Sequence, residues 1–88
     1  MEKIRILIAD DHDVVRRGIS QIISEQPDMM VAAEAGDGVE ALEKARLVTP
    51  DIVLLDIAMP RLSGLEAVGL FKEALPAIGI VDPAHWED

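Results

Sequence analysis

Ile4-Arg5-Ile6-Leu7-Ile8-Ala9-Asp10-Asp11-His12 is an apolar run, broken only by Arg5, that stops abruptly at two carboxylates. Aliphatic residues in near-continuous succession predict a strand covered on both faces, as in a parallel sheet; strict alternation would predict one wet face. The run is too short to span a bilayer. It also ends in Asp10-Asp11, where a secretory leader would carry small residues, so no targeting segment is read there.

Downstream of this strand the period changes. Val14, Val15, Ile19, Ile22 and Ile23 recur at helical spacing, with Arg16, Arg17, Ser20 and Gln21 mainly between them. Pro27 closes that helix near Glu25-Gln26, because proline restricts the preceding residue and cannot donate to the helical ladder. Met29 to Ala35 reads as a second strand, weakened by its alanines. Gly36-Asp37-Gly38 then opens a second helix, whose stripe of Val39, Ala41, Leu42, Ala45 and Leu47 runs up to Thr49-Pro50.

Ile52-Val53-Leu54-Leu55, held between Pro50 and Asp56, is a third strand, too short for a helix. Met59-Pro60-Arg61-Leu62-Ser63-Gly64 has loop composition. Leu65, Val68, Leu70, Phe71 and Leu75 mark a third helix closed by Pro76, and Ala77 to Val81 reads as a remnant fourth strand. Strand and helix alternating in this order predict an α/β fold with right-handed crossovers: a parallel sheet of three strands, order 2-1-3, plus a short fourth strand, flanked by helices.

Composition narrows the function classes. Eighty-eight residues suit one modest core, and with Phe71 and Trp86 the sole aromatics that core must be aliphatic. Seventeen acidic against eight basic residues give a formal charge of −9, which repels phosphodiester backbones and anionic membranes, so neither is expected as a direct partner. The chain has no cysteine, which excludes disulfides, thiolate metal sites and cysteine nucleophiles, and is compatible with a cytoplasmic location.

In open α/β sheets the functional crevice lies beyond the carboxyl ends of the strands, where strand order reverses. Asp10, Asp11 and Asp56 all fall there. Three carboxylates brought together repel one another unless a cation relieves them, and oxygen donors favour a hard one, Mg²⁺. Taken singly, each Asp is as readily a helix cap or a strand end. An acidic pair closing one buried strand and a lone Asp closing another is a rarer conjunction, and it points to a phosphorylation-type metal site. His12 reads as a helix-start residue outside that site, and Met59-Pro60 as loop packing.

These blocks, Ile6-Leu7-Ile8-Ala9-Asp10-Asp11-His12 and Asp51-Ile52-Val53-Leu54-Leu55-Asp56 followed by Met59-Pro60 and Gly64, resemble the receiver domain of two-component response regulators, of partial flavodoxin-like fold. The resemblance covers roughly residues 3–76. The Asp10-Asp11-His12 opening and Gly64-Leu65-Glu66-Ala67 look like the NarL-type branch, whose members usually carry a helix-turn-helix output domain. Residues 1–76 are thus expected to form a C-terminally truncated receiver domain, with residues 77–88 as a divergent tail lacking such an output.

The resemblance implies that Asp56 takes a phosphoryl group from a phosphohistidine of a sensor histidine kinase. Asp11, Asp56 and the carbonyl of Ala58 would hold Mg²⁺, with Asp10 contacting it mainly through water. Phosphoryl transfer of this kind needs an in-line nucleophile and a charge-neutralising cation more than acid or base groups. The chain would be a phosphoacceptor, not a turnover enzyme.

Receiver domains also carry a Thr or Ser after the fourth strand and a Lys after the fifth. Here Val81 is followed by Asp82-Pro83-Ala84-His85-Trp86, and no lysine follows Lys72. Charge-assisted contacts of the missing type contribute about 1.5 to 3 kcal/mol each, so the aspartyl phosphate would be less well held. One sheet edge would lie open, which predicts a homodimer or a swapped assembly. The alternative reading is a degenerate receiver that serves as an interaction or dimerisation module. A small metal-dependent phosphatase is disfavoured, because so short a chain offers no general acid or substrate pocket.

Overall fold

The computed structural model describes residues 2–55 and 64–81. Seven elements alternate along the chain: β1 (Ile4–Ala9), α1 (Asp13–Ser24), β2 (Met29–Ala35), α2 (Gly38–Val48), β3 (Ile52–Leu55), α3 (Gly64–Ala74) and β4 (Gly79–Val81). The strands form one sheet in the order β2-β1-β3-β4, and every pairing is parallel. The expected 2-1-3 core is present, and Gly79–Val81 joins it as the short fourth strand.

The unbroken apolar runs follow from coverage on two sides. Leu7 and Ala9 of β1, with Val53 and Leu55 of β3, pack with Ala41 and Ala45 of α2 and with Phe71 of α3. Their neighbours in sequence, Ile6, Ile8, Ile52 and Leu54, face the opposite way and meet Ile19 and Ile23 of α1. Each residue from Ile6 to Ala9 and from Ile52 to Leu55 therefore belongs to one core or the other, which is why no polar alternation appears over those residues.

β2 is less regular. Ile6 pairs with Val31 but Leu7 pairs with Ala33, so Ala32 is an extra residue in the strand. Such a bulge reverses the inside-outside alternation. Val31 accordingly lies in the α1 cluster whereas Ala33 packs against the α2 cluster, although the two are separated by a single residue.

The helix ends have identifiable causes. Asp37 caps α2 by accepting from the Glu40 amide at 2.8 Å, and Glu40 reaches back to accept from the Gly36 amide, just before the N-cap, at 2.6 Å, so the two carboxylates fasten the helix start to the preceding turn. At the other end Thr49 adopts the left-handed conformation, with φ 44° and ψ 65°. Arg5 supports that turn by donating from Nη1 to the carbonyls of Val48 and Thr49.

The helical stripes differ from expectation at several positions. Val14, Val15 and Ile22 are exposed on α1, and Val39, Leu47 and Leu70 are exposed on α2 and α3. The inward side of α1 is instead Arg16, Ile19, Ser20 and Ile23, so a guanidinium occupies the turn that Val14 and Val15 were expected to fill. Among the described residues no helix is long and apolar enough to cross a membrane.

Candidate metal centre at the carboxyl end of β1

The β1–β2 ladder continues one step past the strand, because the Asp10 amide donates to the Ala35 carbonyl at 3.0 Å. That bond carries Asp10 into the protein at the edge of the crevice, where it is the one buried charged residue among those described, at 7% exposure. A buried carboxylate needs partners. Its Oδ1 accepts from the His12 amide at 2.8 Å and lies 3.1 Å from His12 Nδ1. The His12 ring also lies 3.0 Å from Asp11 Oδ1.

The three side chains grade outward from the core, with exposures of 10% for Asp10, 31% for Asp11 and 67% for His12. Their donor atoms gather within 4.8 Å of one another. The grouping is a consequence of local geometry. His12 is the extended N-cap of α1, with φ −98° and ψ 106°; its amide is tied to Asp10, and its carbonyl accepts from the Arg16 amide at 2.9 Å.

Arg16 fixes this corner from behind. Its Nη1 donates to the Asp10 carbonyl at 2.6 Å, its Nη2 to Asp13 Oδ1 at 2.7 Å, and its Nε lies 3.3 Å from Glu34 Oε1. One planar guanidinium thus joins the end of β1, the first turn of α1 and β2. The local charge stays negative, since Asp10, Asp11, Asp13 and Glu34 outnumber the nearby cations Arg16 and Lys44, whose Nζ donates to the Glu34 carbonyl at 2.6 Å. Oxygen donors in partly buried, uncompensated excess suit a hard divalent cation that keeps several waters.

The structure sets the Asp10 and Asp11 carboxylates close to one another and places the His12 ring beside both, a contact that spacing does not predict. Arg16 and Glu34 were also missed. Their signals were present: Asp13 and Arg16 stand at helical i,i+3 spacing, and Glu34 is a lone charge in an otherwise apolar strand. The expected sites Asp56 and Ala58 lie outside the described residues. The described register does pair Ala9 with Leu55, the residues that directly precede Asp10 and Asp56 in the chain.

Comparison with known proteins identifies the family. Residues 6–82 match the response regulator receiver domain family. A Bacillus subtilis protein described as the uncharacterized transcriptional regulatory protein YxjL is 45% identical over 80 residues, covering 91% of this chain and 37% of the relative. The chain thus spans a little over a third of that relative's length. The response regulator domain of Thermotoga maritima CheB is similar in structure, with a TM-score of 0.87 and 40% identity over 98% of this chain and 65% of that one. The receiver domain of the putative response regulator NarL from Mycobacterium tuberculosis is 34% identical with a TM-score of 0.85, covering 99% of this chain and 71% of that one, which supports the NarL-type branch. The chain belongs to the receiver domain family of two-component response regulators.

Proposed function

We propose that this receiver domain binds Mg²⁺ through Asp10 and Asp11 and accepts a phosphoryl group on Asp56 from a sensor histidine kinase. The observation that carries the reading is the convergence of the Asp10 and Asp11 carboxylates at the carboxyl end of β1, whose last residue is in register with the last residue of β3. Asp56 and the carbonyl of Ala58 complete the proposed ligand set. Mg²⁺ commonly joins one or two carboxylates to a phosphate, and it neutralises charge on the transferring group.

The chain's own residues supply position more than chemistry. The ladder bond from Asp10 to Ala35 and the Arg16 contact to the Asp10 carbonyl hold one side of the crevice rigid. The domain acts as phosphoacceptor and not as a turnover enzyme, in a cytoplasmic setting shared with its kinase. Gly79–Val81 stands at the end of the sheet order, and an edge strand is a template for a second chain, which supports reading a homodimer or swapped assembly there. Within the segment read as a tail from residue 77, Gly79–Val81 add this edge to the receiver body.

Incubation with Mg²⁺ and acetyl phosphate, followed by intact mass spectrometry, tests the assignment. A gain of one phosphoryl group that Asp56→Asn abolishes is expected. No gain in the parent chain, with the protein folded and Mg²⁺ bound, would remove Asp56 as acceptor.

A further inference from the structure

We infer that the α1 side of the sheet is a self-association surface, on which a second copy of this chain packs about a twofold axis so that each α1 lies against the open β3–β4 face of the other copy. The inference deepens the homodimer reading above by assigning its surface.

Two apolar surfaces lie on that side without cover among the described residues. The first is a stripe along α1. Val14 is 84%, Val15 47% and Ile22 62% exposed, and Gly18 stands three or four positions from each of them, on the same side of the helix. The second is the sheet beyond α1. This helix packs on β1 and β2, whereas the β3–β4 register pairs Val53 with Ile80, both turned toward the α2 and α3 core. Gly79 and Val81 therefore share the other face with Ile52 and Leu54, and all four are only partly buried.

Helix and sheet bury their apolar sides by packing on one another. Because both surfaces belong to one chain and lie on one side of it, a single twofold axis covers each with the other. Gly18 fits such a contact. A methyl group built there meets nothing within 4 Å, so packing inside the chain does not call for glycine, although glycine is the poorer helix former. Close approach of a second copy does call for it.

The contact is small. A helix of 12 residues is about 18 Å long, and its stripe laid over two strands falls short of the ~800 Å² per partner of a standard interface. The dimer is therefore weak and reversible. Each copy also carries a formal charge of −9, so the copies repel, and added salt tightens this apolar contact where it would loosen one built on ion pairs.

Sedimentation equilibrium over a concentration series tests the inference on parent, Gly18→Gln, Ile22→Gln and Leu47→Gln. Gly18→Gln keeps the charge and suits a helix, so thermal melts are expected to show a fold at least as stable as the parent. Leu47, 83% exposed on α2 across the sheet, controls for nonspecific apolar contact. Gly18→Gln and Ile22→Gln are each expected to weaken self-association on the order of tenfold, and Leu47→Gln to leave it within about twofold. Hydrogen exchange at the Ile80 amide reads the strand edge separately. The Gly79 amide donates to the Asp51 carbonyl, so the next amide along β4 points away from β3, and its exchange is expected not to change with protein concentration. Self-association indifferent to Gly18→Gln and Ile22→Gln overturns the inference, and an Ile80 amide protected as concentration rises then leaves an edge homodimer standing. A parent that stays monomeric throughout the series overturns both.

Discussion

Arg16 Nη1 donates to the backbone carbonyl of Asp10 at 2.6 Å, and the same guanidinium reaches Asp13 on α1 and Glu34 on β2. The side chain is 19% exposed, so these contacts form largely out of water, although Asp13 itself is 71% exposed and its share is screened. The carbonyl held by Arg16 belongs to the residue whose carboxylate enters the proposed metal site, so the backbone position of Asp10 and the placement of its carboxylate are coupled.

Arg16→Ala is expected to destabilise the domain by about 1 to 2 kcal/mol, mostly through the lost contacts to the Asp10 carbonyl and Glu34. Mg²⁺ affinity should fall as well, roughly tenfold, as it does when outer-shell supports of metal ligands are removed. Arg16→Lys should recover only part of both, because an ammonium cannot serve three acceptors in one plane. Urea denaturation and Mg²⁺ titration of the three proteins check the pair of effects.

Phe71 is fully buried and is the largest side chain of the core between the sheet and the helices α2 and α3. Phe71→Ala removes that volume at a cost of about 3 to 5 kcal/mol, a large part of the ~5 to 15 kcal/mol that keeps a small domain folded. Phe71→Leu should cost markedly less. Thermal melts followed by far-ultraviolet circular dichroism are expected to rank parent above Phe71→Leu above Phe71→Ala.

Thr49 is the one described non-glycine residue with positive φ. A β-branched side chain in the left-handed region costs on the order of 1 to 2 kcal/mol, whereas glycine adopts it freely but loses more chain entropy on folding. Thr49→Gly is expected to stabilise the fold by a net ~1 kcal/mol, read as a higher urea midpoint with unchanged slope. A lower midpoint would show that the Thr49 side chain makes a compensating contact.

Much of the architecture was readable from runs and punctuation. Ile52–Leu55 and Met29–Ala35 are bounded by Pro, Gly and Asp at the positions where the strands begin and end, and both faces of the sheet are covered, so their limits were visible. The facing of α1 was not. Val14 and Ile22 look like core residues by spacing, but Arg16 takes the inward turn for a polar contact that depends on β1 and β2, and no local pattern reports that. The bulge at Ala32 was equally hidden, since an alanine-rich strand gives little sign of which face each residue takes. At the site, Asp10 and Asp11 stood out as a pair that interrupts an apolar run. The approach of the His12 ring to both carboxylates depends on the backbone turn between β1 and α1, which spacing alone does not convey.

The phosphoacceptor reading rests on a divalent cation bound at the end of β1. Isothermal titration with Mg²⁺, comparing the parent with Asp11→Asn at matched folding, measures it directly. One-site binding is expected in the parent and a loss of tenfold or more in the variant, at least the ~10 to 100-fold cost seen for outer-shell partners. Absence of binding in the parent, or equal affinity in Asp11→Asn, would contradict it.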